Sequence, residues 1–161
     1  MAKAIYPGSF DPITLGHIDI IRRIRPMFSE LTVVVANSQR KQYMFSLEER
    51  VQLIRENVKD LPGIRIDKCD GLIVDYASQV GAQVIVRGLR AVSDFEQEFA
   101  IANINRKLND NIETMIVFTR PEYSFVASHM VKEVSQYNGD LSSLVPDNVA
   151  RAMARKLTLS K

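Results

Sequence analysis

One cysteine, Cys69, stands in 161 residues. A chain with a single cysteine forms no internal disulfide and builds no thiolate metal cluster. Histidine is nearly as scarce: His17 and His129 lie far apart, and no group of carboxylates has metal-ligand spacing. Charge of one sign is not in excess either. The formal net charge is +2, too small for a general nucleic-acid binder, which gathers a larger basic surplus on one face. No apolar run approaches the length of a membrane span. The opening residues Met1 to Ile5 are too short in apolar character for a signal peptide. The expectation is a cytoplasmic protein without membrane or nucleic-acid partners. Three familiar site signatures are also missing: the GxxxxGK[ST] phosphate loop, the GxGxxG dinucleotide fingerprint and a Ser-His-Asp nucleophile pattern.

What is present is ordinary in amount and particular in arrangement. Apolar residues make up 46% and charged residues 25% of a chain long enough for one domain with a full core. Short apolar runs alternate with helical spacings. Ala4 to Tyr6 is a brief apolar start cut off by Pro7-Gly8. Ile18, Ile21 and Ile24 mark a helix over Leu15 to Met27. "LTVVVAN", residues 31 to 37, is apolar and β-branched, as suits a strand buried on both faces. Ser46 and Glu49 form a capping box that opens the helix "LEERVQLIRENV". Further strands are expected at "GIRIDKC", at "QVIVR" (residues 83 to 87) and at "ETMIVFT" (residues 113 to 119). Further helices are expected over Asp75 to Val80, Asp94 to Leu108, 128 to 137 and 147 to 157.

This alternation predicts a single-domain α/β fold: a doubly wound, Rossmann-like sheet of about five parallel strands with helices on both faces. Ligands of such sheets bind beyond the carboxyl ends of the strands. The unusual stretches fall there: Gly8 to His17, "SQRKQYMF", "CDGL", "RGLR" and "RPEYSFVASH".

Gly16-His17 stands at a helix start, where unpaired N–H groups and the helix dipole favour an anion. Taken alone, the pair also reads as a turn glycine and a capping or surface histidine. Arg87 and Arg90 flank Gly88 at a strand end, suited to bidentate phosphate recognition or to surface pairing with Asp94 or Glu96. Lys41, beside Arg40, reads alone as a solvated charge, and Glu98 as part of a solvated helix face. Ser128-His129, with Lys132 one turn on, is a second candidate anion site. Together these residues suit a polyphosphate. They offer donors and positive charge without a nucleophile or general base, which fits phosphoryl or nucleotidyl transfer, where position and charge carry catalysis.

The stretch "YPGSFDPITLGHIDII" resembles the N-terminal signature of the nucleotidyltransferase superfamily in its T-x-G-H form, Thr14, Gly16 and His17. "RGLRAVSDFEQE" (87 to 98) and "YSFVASHMVKEV" (123 to 134) closely resemble the bacterial phosphopantetheine adenylyltransferases, and "NGDLSSLVPDNV" continues the likeness. The resemblance implies one nucleotidyltransferase domain over 1–161. It implies a reaction in which the phosphate of 4'-phosphopantetheine attacks the α-phosphate of ATP, with Mg2+ accompanying the nucleotide. It implies that Ser9 and Phe10 border ATP and that His17 stabilises charge on the α-phosphate. Gly88, Leu89 and Arg90 would hold ATP, with Glu98 also at the nucleotide. Tyr123, Ser124, Phe125, Val126, Ala127, Ser128 and His129 would close over it. Ser9, Lys41, Ile73 and Arg87 would contact the second substrate, with His17, Lys41 and Arg90 as the catalytic set. A homohexamer is implied as well. The chain departs from the family at Ala127-Ser128-His129, where serines or threonines are usual. Only Ser128 keeps the hydroxyl, which leaves backbone N–H groups for contacts at 127 and 129. The alternatives are a related nucleotidyltransferase with another phosphate acceptor and a non-catalytic nucleotide sensor on the same fold.

Overall fold

The computed structural model describes residues 1–159. Its parallel sheet contains β1 (Lys3–Gly8), β2 (Glu30–Ala36), β3 (Ile64–Cys69), β4 (Val84–Leu89) and β5 (Glu113–Phe118), in the order β3-β2-β1-β4-β5. The helices are α1 (Leu15–Ile24), α2 (Leu47–Val58), α3 (Ile73–Gln79), α4 (Val92–Leu108), α5 (Ser128–Gln136) and α6 (Asp147–Leu159). The expected α/β class and parallel sheet are therefore present.

The strand order dictates which helix covers which face. The chain steps outward from β1 to β2 to β3, then returns past β1 to β4 and β5. Right-handed crossovers then call for α3 on the face opposite α1 and α2. The packing follows. Val74 and Ala77 of α3 pack with Ile5, Val34 and Ile85. Ile21 and Ile24 of α1, Ile54 of α2, Val131 of α5 and Met153 of α6 pack with Tyr6, Val33, Val35 and Val86. Neighbouring residues of one strand thus enter opposite clusters, as a strand's period of two requires. Val33, Val34 and Val35 are each fully buried, which explains why β2 reads as an unbroken apolar run.

Several boundaries move by one to three residues from the sequence expectation, α3 and α4 among them, and three shifts have a clear cause. β1 does not stop at Tyr6. It continues through Pro7 and Gly8, which pair with Val34 and Val35 of β2. Pro7 is tolerated because β1 pairs with β4 only at Ala4 and Ile5. The ladder on that side has already ended where the missing N–H would fall. β4 likewise runs through Gly88 and Leu89, which pair with Val117 and Phe118. α1 ends at Ile24, and Arg25–Met27 form a 3-10 turn around Pro26, which cannot continue the helical bonding.

Asp11 fastens the loop after β1 to the rest of the molecule. Its carboxylate is 3% exposed and accepts from the backbone N–H groups of Met44 and Phe45, both at 2.9 Å. It also accepts from Lys132 Nζ at 3.0 Å. The loop is thereby tied to the segment that enters α2 and to α5. Asp11→Ala leaves two backbone donors and an ammonium without this acceptor. We expect a loss of about 2–4 kcal/mol, read from denaturant unfolding. A loss below about 0.5 kcal/mol would show that the clamp is not a major source of stability.

Candidate active site

The reversal of strand order between β1 and β4 opens a crevice, the usual ligand site of an open parallel sheet. A cavity of about 320 Å³ lies there. Its floor is the end of β1, and its sides come from the start of α1, the end of β4, the first turns of α4 and the start of α5. Two glycines permit this closeness. A Cβ on Gly88 would stand 2.7 Å from Ile20 Cδ1, and one on Gly16 would stand 3.3 Å from Tyr123 Cβ. The missing side chains thus let α1 pack closely against β4 and against the 3-10 turn at Pro121–Tyr123.

His17 is held by the helix start itself. Thr14 caps α1: its Oγ1 accepts from His17 N at 3.4 Å, while His17 Nδ1 accepts from Thr14 N at 3.1 Å. With Nδ1 as the acceptor, the neutral ring carries its proton on Nε2, which has no hydrogen-bond partner among the described residues. The ring meets Phe10 edge-on at 5.0 Å between centroids. Burial, followed by the charge of Arg90, lowers the His17 pKa to about 4. The side chain is thus a neutral, aimed donor at neutral pH. The capping reading of the Gly-His pair is what the structure shows, and the cap is what orients the ring.

The arginines are already engaged. Arg87 and Glu98 form a forked pair, Nε to Oε2 at 2.6 Å and Nη2 to Oε1 at 2.7 Å. Arg87 Nη1 also reaches Pro7 O at 3.3 Å, across the gap between β4 and β1. Burial disfavours the Arg87 charge, but the hydrogen bonds and charge of Glu98 outweigh it and raise the pKa. Glu98 is 9% exposed, so it is not on a solvated face, and it, rather than Asp94 or Glu96, is the partner of Arg87. Arg90 does pair with Asp94, Nε to Oδ2 at 3.1 Å and Nη2 to Oδ1 at 3.2 Å. Burial opposes the Asp94 charge, and the hydrogen bonds from Arg90 overcome that and hold its pKa below the ordinary value.

Of the residues singled out from sequence, Ser9, Phe10, His17, Arg87, Gly88, Arg90, Glu98, Val126, Ala127, Ser128 and His129 line this cavity. The others lie elsewhere. Lys41 lines an adjoining cavity that shares Ser9 with the first, and its Nζ is 3.5 Å from Ser9 Oγ. Ile73 opens α3 and packs, partly buried, against the smaller core cluster. The Leu89 side chain is 6% exposed, so it offers a ligand backbone only. Tyr123 packs against the large core cluster, Ser124 Oγ donates to Pro121 O, and Phe125 is solvent-exposed. The Ser128 hydroxyl donates to Pro12 O at 2.9 Å, and Lys132 is paired with Asp11. Both side chains at the second anion site suggested by sequence are thus engaged within the protein. Sequence reasoning missed Arg50 and Thr119. Thr119 Oγ1 is buried in the cavity wall with no partner among the described residues, and no local pattern announces it. Arg50 had a signal: it opens an apolar stripe continued by Leu53, Ile54 and Val58.

Residues 5–134 match the family described as Cytidylyltransferase-like. The phosphopantetheine adenylyltransferase of Caldanaerobacter subterraneus is 48% identical over 99% of this chain and 100% of its own. The enzyme of that name from Bdellovibrio bacteriovorus is 53% identical over 96% of each chain. Among solved structures, the lipopolysaccharide core biosynthesis protein from Thermoplasma volcanium matches with a TM-score of 0.54 and 26% identity, over 74% of this chain and 96% of that one. The chain belongs to the cytidylyltransferase-like nucleotidyltransferases and, within them, to the phosphopantetheine adenylyltransferases. No described helix is long and apolar enough to cross a membrane.

The lowered pKa of His17 has a thermodynamic consequence. Unfolding returns the ring to its ordinary pKa of 6.5, so between pH 6.5 and about 4 the unfolded chain binds a proton that the folded chain does not. Stability from this residue is intact above pH 6.5 and lost as pH falls. Between pH 7 and pH 5 the wild type should lose roughly 1–2 kcal/mol more than His17→Gln. Parallel denaturant titrations measure this. Equal losses would mean that the ring protonates freely in the folded protein.

Proposed function

We infer that the chain transfers the adenylyl group of ATP to the phosphate of 4'-phosphopantetheine. A phosphate oxygen of the acceptor forms a bond to the α-phosphorus, the bond from that phosphorus to the bridging oxygen breaks, and pyrophosphate leaves with the electron pair. The product is dephospho-coenzyme A. The observation that carries this reading is the neutral His17, locked by Thr14 with one donor left over, at the mouth of α1 in the β1–β4 crevice. Such a donor serves charge that develops on the α-phosphate oxygens. The acceptor brings its own nucleophile, which is why the site needs neither a serine nor a cysteine.

The remaining roles divide between two anions. Arg90, Gly88, the backbone of Leu89, Ser9, Phe10 and the start of α1 meet ATP, and residues 123 to 129 lie over it. Ser9, Lys41, Arg87 and Ile73 meet the acceptor. Glu98 lies on the nucleotide side of the cavity and, through its forked pair, holds Arg87 toward the end of β1 and the acceptor. Magnesium accompanies ATP. Glu98 and Asp94, the acidic side chains lining the cavity, are both engaged by arginines, so a magnesium ion entering with ATP would be held by the polyphosphate and water rather than by these carboxylates.

The chain works as one nucleotidyltransferase domain, in the cytoplasm, as a homohexamer. Self-association is supported by α4, which rests on β4 and β5 and leaves Phe95, Phe99, Ile104 and Leu108 exposed, with the Phe95 and Phe99 rings stacked at 5.8 Å. Such a surface marks an interface. Light scattering should return the mass of a hexamer, and Phe99→Glu should return smaller species. A monodisperse monomer would overturn the assembly.

Pyrophosphate release from ATP and magnesium, offered 4'-phosphopantetheine and a panel of other phosphates, tests the reaction. Turnover with another acceptor and none with 4'-phosphopantetheine would refute it. In the active enzyme His17→Ala should lower kcat by roughly a hundredfold, about 3 kcal/mol of barrier, with ATP affinity changed far less. A folded variant with near-normal kcat would reduce His17 to a helix cap.

A further inference from the structure

Arg50 is a cation where the packing of α2 calls for an apolar residue. It shares its helical face with Leu53, Ile54 and Val58 and is 1% exposed. Nη1 donates to Ser9 O at 3.0 Å and to Ala36 O at 3.3 Å, and Nη2 donates to Asn37 Oδ1 at 2.8 Å. The guanidinium lies 3.9 Å from the centre of the Tyr43 ring. Nε is buried without an acceptor among the described residues. Every partner is neutral. A buried charge without an opposite charge is strongly unfavourable, and an apolar residue or an internal ion pair would serve packing better.

What Arg50 holds leads in one direction. Ser9 carries the hydroxyl that faces Lys41. Asn37 passes the contact on, its Nδ2 donating to Asp70 Oδ1 at 2.9 Å. The Tyr43 hydroxyl accepts from Ser38 N at 2.8 Å. The clamp therefore sets the loop after β2, which carries Lys41, against the loop after β1. The neighbouring cations Arg87, Arg90 and Lys132 have Glu98, Asp94 and Asp11. Lys41 and Arg50 have no carboxylate partner among the described residues.

We propose that Arg50 is a positioning residue of the acceptor site: it fixes Ser9 and the Lys41 loop, and its unneutralised charge is completed by the phosphate of the incoming acceptor rather than by ATP. The inference rests on the function proposed above.

Arg50→Met should raise KM for 4'-phosphopantetheine by at least about tenfold, while the ATP dissociation constant without acceptor stays within about twofold. Arg50→Lys should recover part of that loss. The decisive variant leaves Arg50 in place. Asn37→Asp combined with Asp70→Asn keeps the net charge, reverses one hydrogen bond and moves a carboxylate from an exposed position onto the guanidinium. It should be at least as stable as the wild type and yet raise the acceptor KM by about tenfold or more. A stable double variant with the wild-type acceptor KM would overturn the proposal, and so would one less stable than the wild type, or a parallel loss of ATP affinity. If Arg50→Met does not fold, the double variant decides alone. A wild type that adenylylates some other phosphate, and not 4'-phosphopantetheine, instead removes the functional reading.

Discussion

The site depends on the parting of β1 and β4. The two central strands pair only through Ala4 with Val84 and Ile5 with Ile85. Beyond that point β1 stays with β2 and β4 stays with β5. The parting follows from the chain's reversal at β1, because the crossovers on either side leave it in opposite directions. Two strands that separate while each remains half-paired leave backbone groups facing a gap. Pro7 lowers that demand by lacking an N–H, and its carbonyl is met by Arg87 Nη1 from across the gap. The crevice is therefore a satisfied gap, braced by a side chain, into which α1 points its first turn.

The charges around the gap are sorted rather than simply positive. Arg87 and Arg90 are each held by a carboxylate of α4, Glu98 and Asp94, which fixes their planes at the cost of part of their field. His17 is kept neutral, so it adds a donor without adding charge. Lys41 sits one loop away, beside Ser9. An enzyme joining two anions has to keep them close while stopping either from occupying both places. Arg90 held by Asp94 on the ATP side, and Arg87 held by Glu98 beside a Lys41 that has no carboxylate partner among the described residues on the acceptor side, provide such a difference, and they do so through hydrogen-bond geometry as much as through net charge.

The sequence revealed most clearly what is decided locally. The three valines of β2 and the Ser46–Glu49 capping box needed no knowledge of the rest of the chain, and both stand as read. What it hid was decided by neighbours distant in sequence. Pro7-Gly8 looks like the end of a strand, and only the pairing with Val34 and Val35 makes it part of one. Glu98 looks solvated on a helix whose apolar residues point outward. It is buried because Arg87, on the strand before that helix, requires a partner there. The same holds for Ser128 and Lys132, whose polar groups are spent on Pro12 and Asp11, more than a hundred positions away in sequence. Side-chain chemistry was legible from residue type. The partner that consumes or orients it was not, because periodicity and capping rules describe one element at a time.

Stability and chemistry meet most closely at the start of α1. A helix there needs its first N–H groups satisfied, and Thr14 with His17 does so reciprocally. The same two contacts decide which nitrogen of the imidazole holds the proton. The ring is then unable to point elsewhere without uncapping the helix, and the helix cannot fray without releasing the ring. Gly16, between them, keeps that turn against Tyr123, and Asp11 holds the preceding loop against α5. Orientation of this neutral donor is thus enforced by the cooperative helix, its cap Thr14 and its packing. That arrangement leaves Nε2 uncommitted, which is what a donor needs if its hydrogen bond is to strengthen only as charge develops on the reacting phosphate.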